Sequence, residues 1–135
     1  MDFFLAGPMP VVSQKLKNVL DQFRVAAELF PVEIVSRRKH VLDRYWYCLN
    51  VVAIIDCLDR KDSRFTPERE YATNLESVSL SGDAIGPQPL FRVAKTIPSL
   101  ICVSDNLADA IIAAGCTGVV FKPPGAWRNP VNPLE

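Results

Sequence analysis

One short pattern occurs twice in this chain, 91 residues apart and in a single register. Val12-Ser13, Leu16, Leu20 and Phe30 align with Val103-Ser104, Leu107, Ile111 and Phe121. In each copy a valine leads into a serine, a leucine follows three residues later, and another aliphatic residue four beyond that. A serine so placed can accept a hydrogen bond from a free amide in the first turn of a helix. Apolar residues spaced by three and four then fall on one face of that helix. Each copy therefore predicts a strand, a serine cap, a short amphipathic helix and a returning strand. If the two strands of a copy are parallel, the unit is a right-handed crossover. Four of the aligned positions are identical. That agreement suits a structural duplication, and it equally suits two unrelated capped units. Either way the pattern describes a scaffold and gathers no reactive groups.

The front helix presents Leu16, Val19, Leu20 and Phe23 on one face. Lys15 and Lys17 sit near the positive end of its dipole, so packing must hold it. The rear helix has Asp105 in its first turn, where negative charge is favoured. It carries Leu107, Ala110, Ile111 and Ala114 as its apolar stripe, and Gly115 is placed to take the left-handed conformation just past its end. Between the copies, residues 29–35 read as a strand and 36–40 as a basic, exposed turn. Residues 45–55, YWYCLNVVAII, form the strongest strand signal, and their near-continuous apolarity predicts burial on both faces. Residues 64–74 read as loop with one helical turn. Residues 77–81 read as a half-buried strand before a turn at Gly82-Asp83. Residues 90–93, 100–103 and 119–121 complete the strands. The expected fold is α+β, a mixed β-sheet with two short capped helices. One domain covers 1–122, and a proline-rich extended tail with one exposed tryptophan, Trp127, covers 123–135.

At 135 residues the chain suits a single domain, and its 49% apolar content supplies a core. Fifteen basic residues balance fifteen acidic ones, so no global field draws the chain to nucleic acid or to a membrane. The longest apolar run, 48–58, is interrupted by Asn50 and Asp56 and falls short of the ~20 residues of a membrane span. The N-terminus lacks the basic segment of a secretory signal. Cys48, Cys57, Cys102 and Cys116 are widely spaced among apolar neighbours, which predicts reduced core thiols and a cytoplasmic protein.

Few residues offer chemistry. Asp56, Asp59 and Asp62 could converge on a metal ion or share a proton, as a small metal-assisted hydrolase would need. They follow a strong strand, however, and read better as its polar end and a solvated turn, with Asp56 buried and hydrogen-bonded. His40, the single histidine, stands in the basic turn with no nucleophile beside it. Arg37, Arg38, Lys39 and Arg44 lie near Tyr45, Trp46 and Tyr47, a set that could stack and charge-pair with a nucleic-acid strand. The aromatics open the strongest strand and are expected in the core. No glycine-rich phosphate loop is present. The residues thus indicate no catalytic group, no metal and no cofactor, and leave a protein-interaction role.

Several stretches taken in order carry a resemblance. They are Val12-Ser13-Gln14-Lys15-Leu16, Phe30-Pro31-Val32, Tyr47-Cys48-Leu49-Asn50-Val51 and Asp56-Cys57-Leu58-Asp59 with Ser63. Leu90-Phe91-Arg92, Val103-Ser104 through Gly115, and Gly118-Val119 follow. Together they resemble a family of bacterial immunity proteins from polymorphic toxin systems. Relative to that family the chain is short at its N-terminus, so an edge strand is either absent or replaced by another part of the fold. The resemblance implies a protein that binds and neutralises a cognate toxin encoded nearby. It implies no enzyme activity, and self-association stays open. The mixed-charge segment after the best strand is the expected partner surface, with Asp59, Arg60, Asp62 and Arg64 as its contacts. The alternatives are the aspartate-based hydrolase and a generic interaction module.

Overall fold

The computed structural model describes residues 1–38 and 40–128, with backbone alone at 41–44. The elements in chain order begin with strands β1 (Phe3–Ala6) and β2 (Met9–Ser13), helix α1 (Gln14–Gln22), and strands β3 (Ala27–Val35), β4 (Val41–Val51) and β5 (Ile54–Ile55). Strands β6 (Arg64–Glu68) and β7 (Tyr71–Ser77), the one-turn helix α2 (Gly82–Ile85), and strands β8 (Leu90–Val93), β9 (Thr96–Ile97) and β10 (Ile101–Val103) come next. Helix α3 (Asp105–Ala113) and a 3-10 turn at Pro124–Ala126 end the described chain. The fold class is α+β, as expected.

Both serines of the repeated pattern cap helices. Ser13 Oγ accepts from the amide of Leu16 at 3.1 Å, and Ser104 Oγ accepts from that of Leu107 at 3.2 Å. Each helix is nine residues long, too short to persist alone in water. Their apolar faces meet in one core. Leu16, Val19 and Leu20 from α1 join Leu107 and Ile111 from α3, with Val12, Leu49, Val51 and Leu90 beneath them. Ala110 is half-buried against this core, whereas Ala114 is exposed. Gly115 takes φ +76° after α3, the left-handed position its place foretold. Lys15, unfavourable on its own helix, is placed by tertiary structure. Its Nζ donates to the carbonyl of Gly115 at 3.1 Å, at the negative end of α3.

The returning strand of the rear copy does not form. In the front copy β3 runs antiparallel along β4. In the rear copy Thr117 bonds to Asp2 instead: its carbonyl accepts from the Asp2 amide and its amide donates to Asp2 Oδ2, each at 2.8 Å. Gly118 then turns at φ +93°. Val119 and Phe121 pack on the first core from irregular chain. Pro123 and Pro124 follow and bring no amide to a ladder. The duplication is therefore confined to strand, cap and helix.

The expected single mixed sheet is three sheets. The first, in order β1-β2-β4-β3, is antiparallel throughout. Gly7, at φ +62°, opens the two-residue loop joining β1 to β2, a position that favours glycine in tight hairpins. The run 45–55 is not one strand buried on both sides. It breaks where the amides of Val52 and Ala53 both donate to Ala26 O, so β4 and β5 belong to different sheets. Leu49 and Val51 enter the core, whereas Asn50 is exposed and Tyr45 is 73% exposed. On the face away from the helices Trp46 meets Phe4 edge-on at 5.2 Å. Apolar residues occupy both faces of β4, but helices cover only one.

The second sheet, β10-β8-β5, pairs β8 antiparallel to β10 and parallel to β5. Leu90 points to the first core, and Phe91 and Val93 form a second with Cys57. In the third sheet, β6-β7-β9, the segment 64–74 read as loop supplies β6 and most of β7, and β9 pairs parallel to β7. Its hairpin turns through Arg69-Glu70 with Arg69 at φ +56°, and no glycine or asparagine marks the turn. Residues 78–80 extend no strand beyond the single bridge of Leu80 to Leu58. The turn expected at Gly82-Asp83 is helix α2. Ala72, Leu75 and Val78 make a third core, and Trp127 packs on it half-buried. The tail therefore starts as a folded turn and not as extended chain; residues 129–135 lie outside the described residues.

Candidate partner-binding surface

The segment after β5 is a built turn. Its entry is tied by the Leu58–Leu80 bridge and by the Asp59 amide donating to Ser79 O at 2.8 Å. Asp59 Oδ1 accepts from the amides of Lys61 at 3.0 Å and Asp62 at 3.3 Å, so this carboxylate shapes its own loop. Ser63 is buried; its Oγ accepts from the Ser79 amide at 2.9 Å and donates to Ser79 O at 3.2 Å. Arg60 donates to the carbonyl of Glu70 and lies over the Phe65 ring at 5.3 Å from its centroid. Arg60 thus fastens the turn to the β6-β7 hairpin, and Asp59 closes the turn on itself and ties it to Ser79. Asp62 and Arg64 remain exposed.

Those two exposed charges border adjoining grooves. Asp62, Ser79, Leu80, Pro124 and Arg128 line one of about 410 Å³. Arg64, Glu76, Ser77 and Arg128 line another of about 310 Å³. Arg128 serves both, and its Nη1 donates to the carbonyls of Gly125 and Trp127. The pattern that could have flagged this wall was the Trp-Arg pair in the tail, a combination enriched at interfaces.

The aspartate triad does not assemble. Asp59 is turned into its own loop, and Asp56 is 64% exposed and pairs with Lys95 at 3.4 Å, contrary to its expected burial. Among the described residues no three of His, Cys, Asp and Glu stand where they could hold a metal ion. His40 is exposed, and its amide donates to Ser36 Oγ in the hairpin turn. Of the basic set, Arg37 and Arg38 are exposed; Lys39 and the Arg44 side chain lie outside the described residues. Tyr47 is not available for stacking, because it packs on the first core and donates its hydroxyl to Gln14 Oε1 at 2.6 Å. All four cysteines are free. Burial, reinforced by Cys57, pushes the Cys102 thiol up to about 11, so it is no nucleophile near neutrality. Burial also pushes up Cys57 and Cys116.

Asp2 is tied into the fold on several sides. It is 8% exposed and receives Ser13 Oγ at 2.8 Å and the Thr117 amide at 2.8 Å, with Lys15 at 3.7 Å. Burial alone would raise its pKa, but the bonds from Thr117 and Ser13 and the Lys15 charge hold it below the usual 3.8. Its role joins the N-terminus, α1 and the loop after α3. Arg92, which spacing did not single out, is the one described residue with a buried side-chain nitrogen, Nε, that finds no acceptor among the described residues.

No described helix is long and apolar enough to cross a membrane. Among curated proteins no significant match is found. The profile described as Immunity protein family (Imm11) matches residues 2–126, which takes in all three sheets, both capped helices and the turn at 124–126. The chain belongs to this family of immunity proteins.

Proposed function

We propose that this protein neutralises a cognate bacterial toxin of a polymorphic toxin system by direct contact, acting in the cytoplasm of the cell that makes both. The observation that carries this reading is the family match over residues 2–126. Four free thiols suit a reducing compartment. No catalytic step by this chain enters the mechanism; the scaffold displays a surface complementary to one partner. Asp62 and Arg64, on the turn that Asp59 and Arg60 hold rigid, form one part of that surface. A preformed turn loses little conformational freedom on docking, which favours affinity. Exposed opposite charges there set orientation and association rate more than bond strength.

The test is co-expression with the product of the adjacent reading frame. Growth rescue and co-purification of the two proteins support neutralisation, and their absence refutes it. Reversing both charges, Asp62→Lys with Arg64→Glu, should lower the association rate by about tenfold at low salt. Unchanged kinetics would remove the turn from the contact surface.

A further inference from the structure

Strand β2 ends opposite Trp46, and past that point β3 and β4 continue as a two-stranded ribbon to the turn after Val35. Within this ribbon Val32 pairs with Trp46 and Ile34 with Asp43, so Arg44 and Tyr45 on β4 oppose the single residue Glu33 on β3. Such a β-bulge re-aims a side chain out of the ladder. Tyr45 sits in it at φ +66°. Four other described non-glycine residues have positive φ. Arg24 lies just past α1, Arg69 and Lys95 lie in turns between strands, and Asn74 is a residue type that tolerates the left-handed region. Tyr45 differs from all four as an aromatic inside a strand, at a position where glycine would fit with less strain. Burial does not offset that strain, because Tyr45 is 73% exposed. A strained residue whose side chain serves no core is the pattern expected of a contact made outside the molecule.

We infer that the β3-β4 ribbon docks on an acidic surface of the toxin, with Tyr45 as the anchoring aromatic and Arg37 and Arg38 paired with carboxylates around it. The inference rests on the toxin-binding reading and adds a second contact and the chemistry of the surface it meets. Charge complementarity selects the occupant. Arg37 and Arg38 are both exposed in the turn at the end of the ribbon, whereas the chain as a whole is neutral. Val35, 52% exposed, adds apolar surface on the same ribbon. Tyrosine and arginine are the residue types that anchor protein contacts, and a tyrosine brings a large area at a small cost in side-chain freedom. A second copy of this chain would bring the same two arginines to a symmetric contact, where like charges repel. A nucleic-acid strand would call for stacking aromatics in series. Trp46 instead meets Phe4 edge-on, and Tyr47 packs on the first core.

The experiment uses the full chain and the product of the adjacent reading frame. Affinity, association rate and melting temperature are measured for wild type, Tyr45→Gly, Tyr45→Asn and the double variant Arg37→Glu with Arg38→Glu. Both Tyr45 substitutions relieve the backbone and remove the ring. Their melting temperatures should hold or rise by up to about 4 °C, while affinity falls about ten- to hundredfold. The double charge reversal should slow association about tenfold at low salt, and the effect should fade at high salt. Wild-type affinity for the two Tyr45 variants would overturn the proposal. A marked drop in their melting temperatures would also overturn it, by showing the ring held for the fold. So would unchanged association of the double variant, self-association of the free chain that Tyr45→Gly abolishes, or an oligonucleotide whose binding depends on Tyr45. Failure of the wild type to bind would instead refute toxin neutralisation by this chain, a distinct result.

Discussion

The two serine caps form an internal control, because they share one local geometry and differ in a single tertiary bond. Ser104→Ala removes the acceptor for the Leu107 amide and nothing else among the described hydrogen bonds. Loss of an N-cap costs about 1 kcal/mol. Ser13→Ala removes the matching acceptor for Leu16 and also the 2.8 Å bond from Ser13 Oγ to the buried carboxylate of Asp2. A bond to a charged group adds about 1.5–3 kcal/mol, so the total reaches about 2.5–4 kcal/mol. With an unfolding entropy of ~2.1 cal/mol/K per residue, 135 residues lose about 3–4 °C of Tm per kcal/mol. Ser104→Ala should therefore melt about 4 °C below wild type and Ser13→Ala about 9–14 °C below. Urea unfolding at constant m-value gives the free energies directly. The difference must also depend on pH. The folded pKa of Asp2 lies below its usual 3.8, so its stabilising charge is fully present above that value and is lost as pH falls through the folded one. The gap between the variants should be complete at pH 7 and narrow below about pH 4. Equal destabilisation by the two substitutions at pH 7 would refute the assignment of Asp2 as the tie between the N-terminus and α1.

Four further outcomes are expected. Gly118→Ala places a Cβ 2.5 Å from the backbone oxygen of Phe3 at φ +93°, and should cost more than about 3 kcal/mol or abolish folding. Gly7→Ala, also at positive φ but with open space around it, should cost only about 1 kcal/mol, as thermal melts will compare. Leu107→Ala empties a fully buried site between the helices and should lower stability by about 2–5 kcal/mol in urea titration. Lys95→Ala breaks the Lys95–Asp56 pair, which is half-exposed on both sides, and should change stability by less than about 0.5 kcal/mol.

Part of the candidate surface was legible in the chain. The mixed charges after residue 55 placed the exposed turn correctly, because unpaired charges cannot be buried cheaply. Which of those charges face a partner was not legible: Asp59 and Asp62 look alike in sequence, and only the closed loop shows that the first is consumed by backbone amides. Arg92 was invisible for a similar reason. One arginine in an apolar strand gives no spacing signal, and the burial of its Nε follows only from the packed fold.

Local patterning determined the two serine caps, the apolar faces of α1 and α3, and the left-handed Gly115, because each depends on residues within one helical turn. Tertiary structure decided the rest. The β6-β7 hairpin formed from a charged stretch because Ala72 and Leu75 found a third core to fill, even though Arg69 had to turn at positive φ. The strand expected at 119–121 gave way because Thr117 bonded to Asp2, 115 residues away. Backbone amides join whichever acceptor the packed fold presents, and a linear pattern holds no record of that distance.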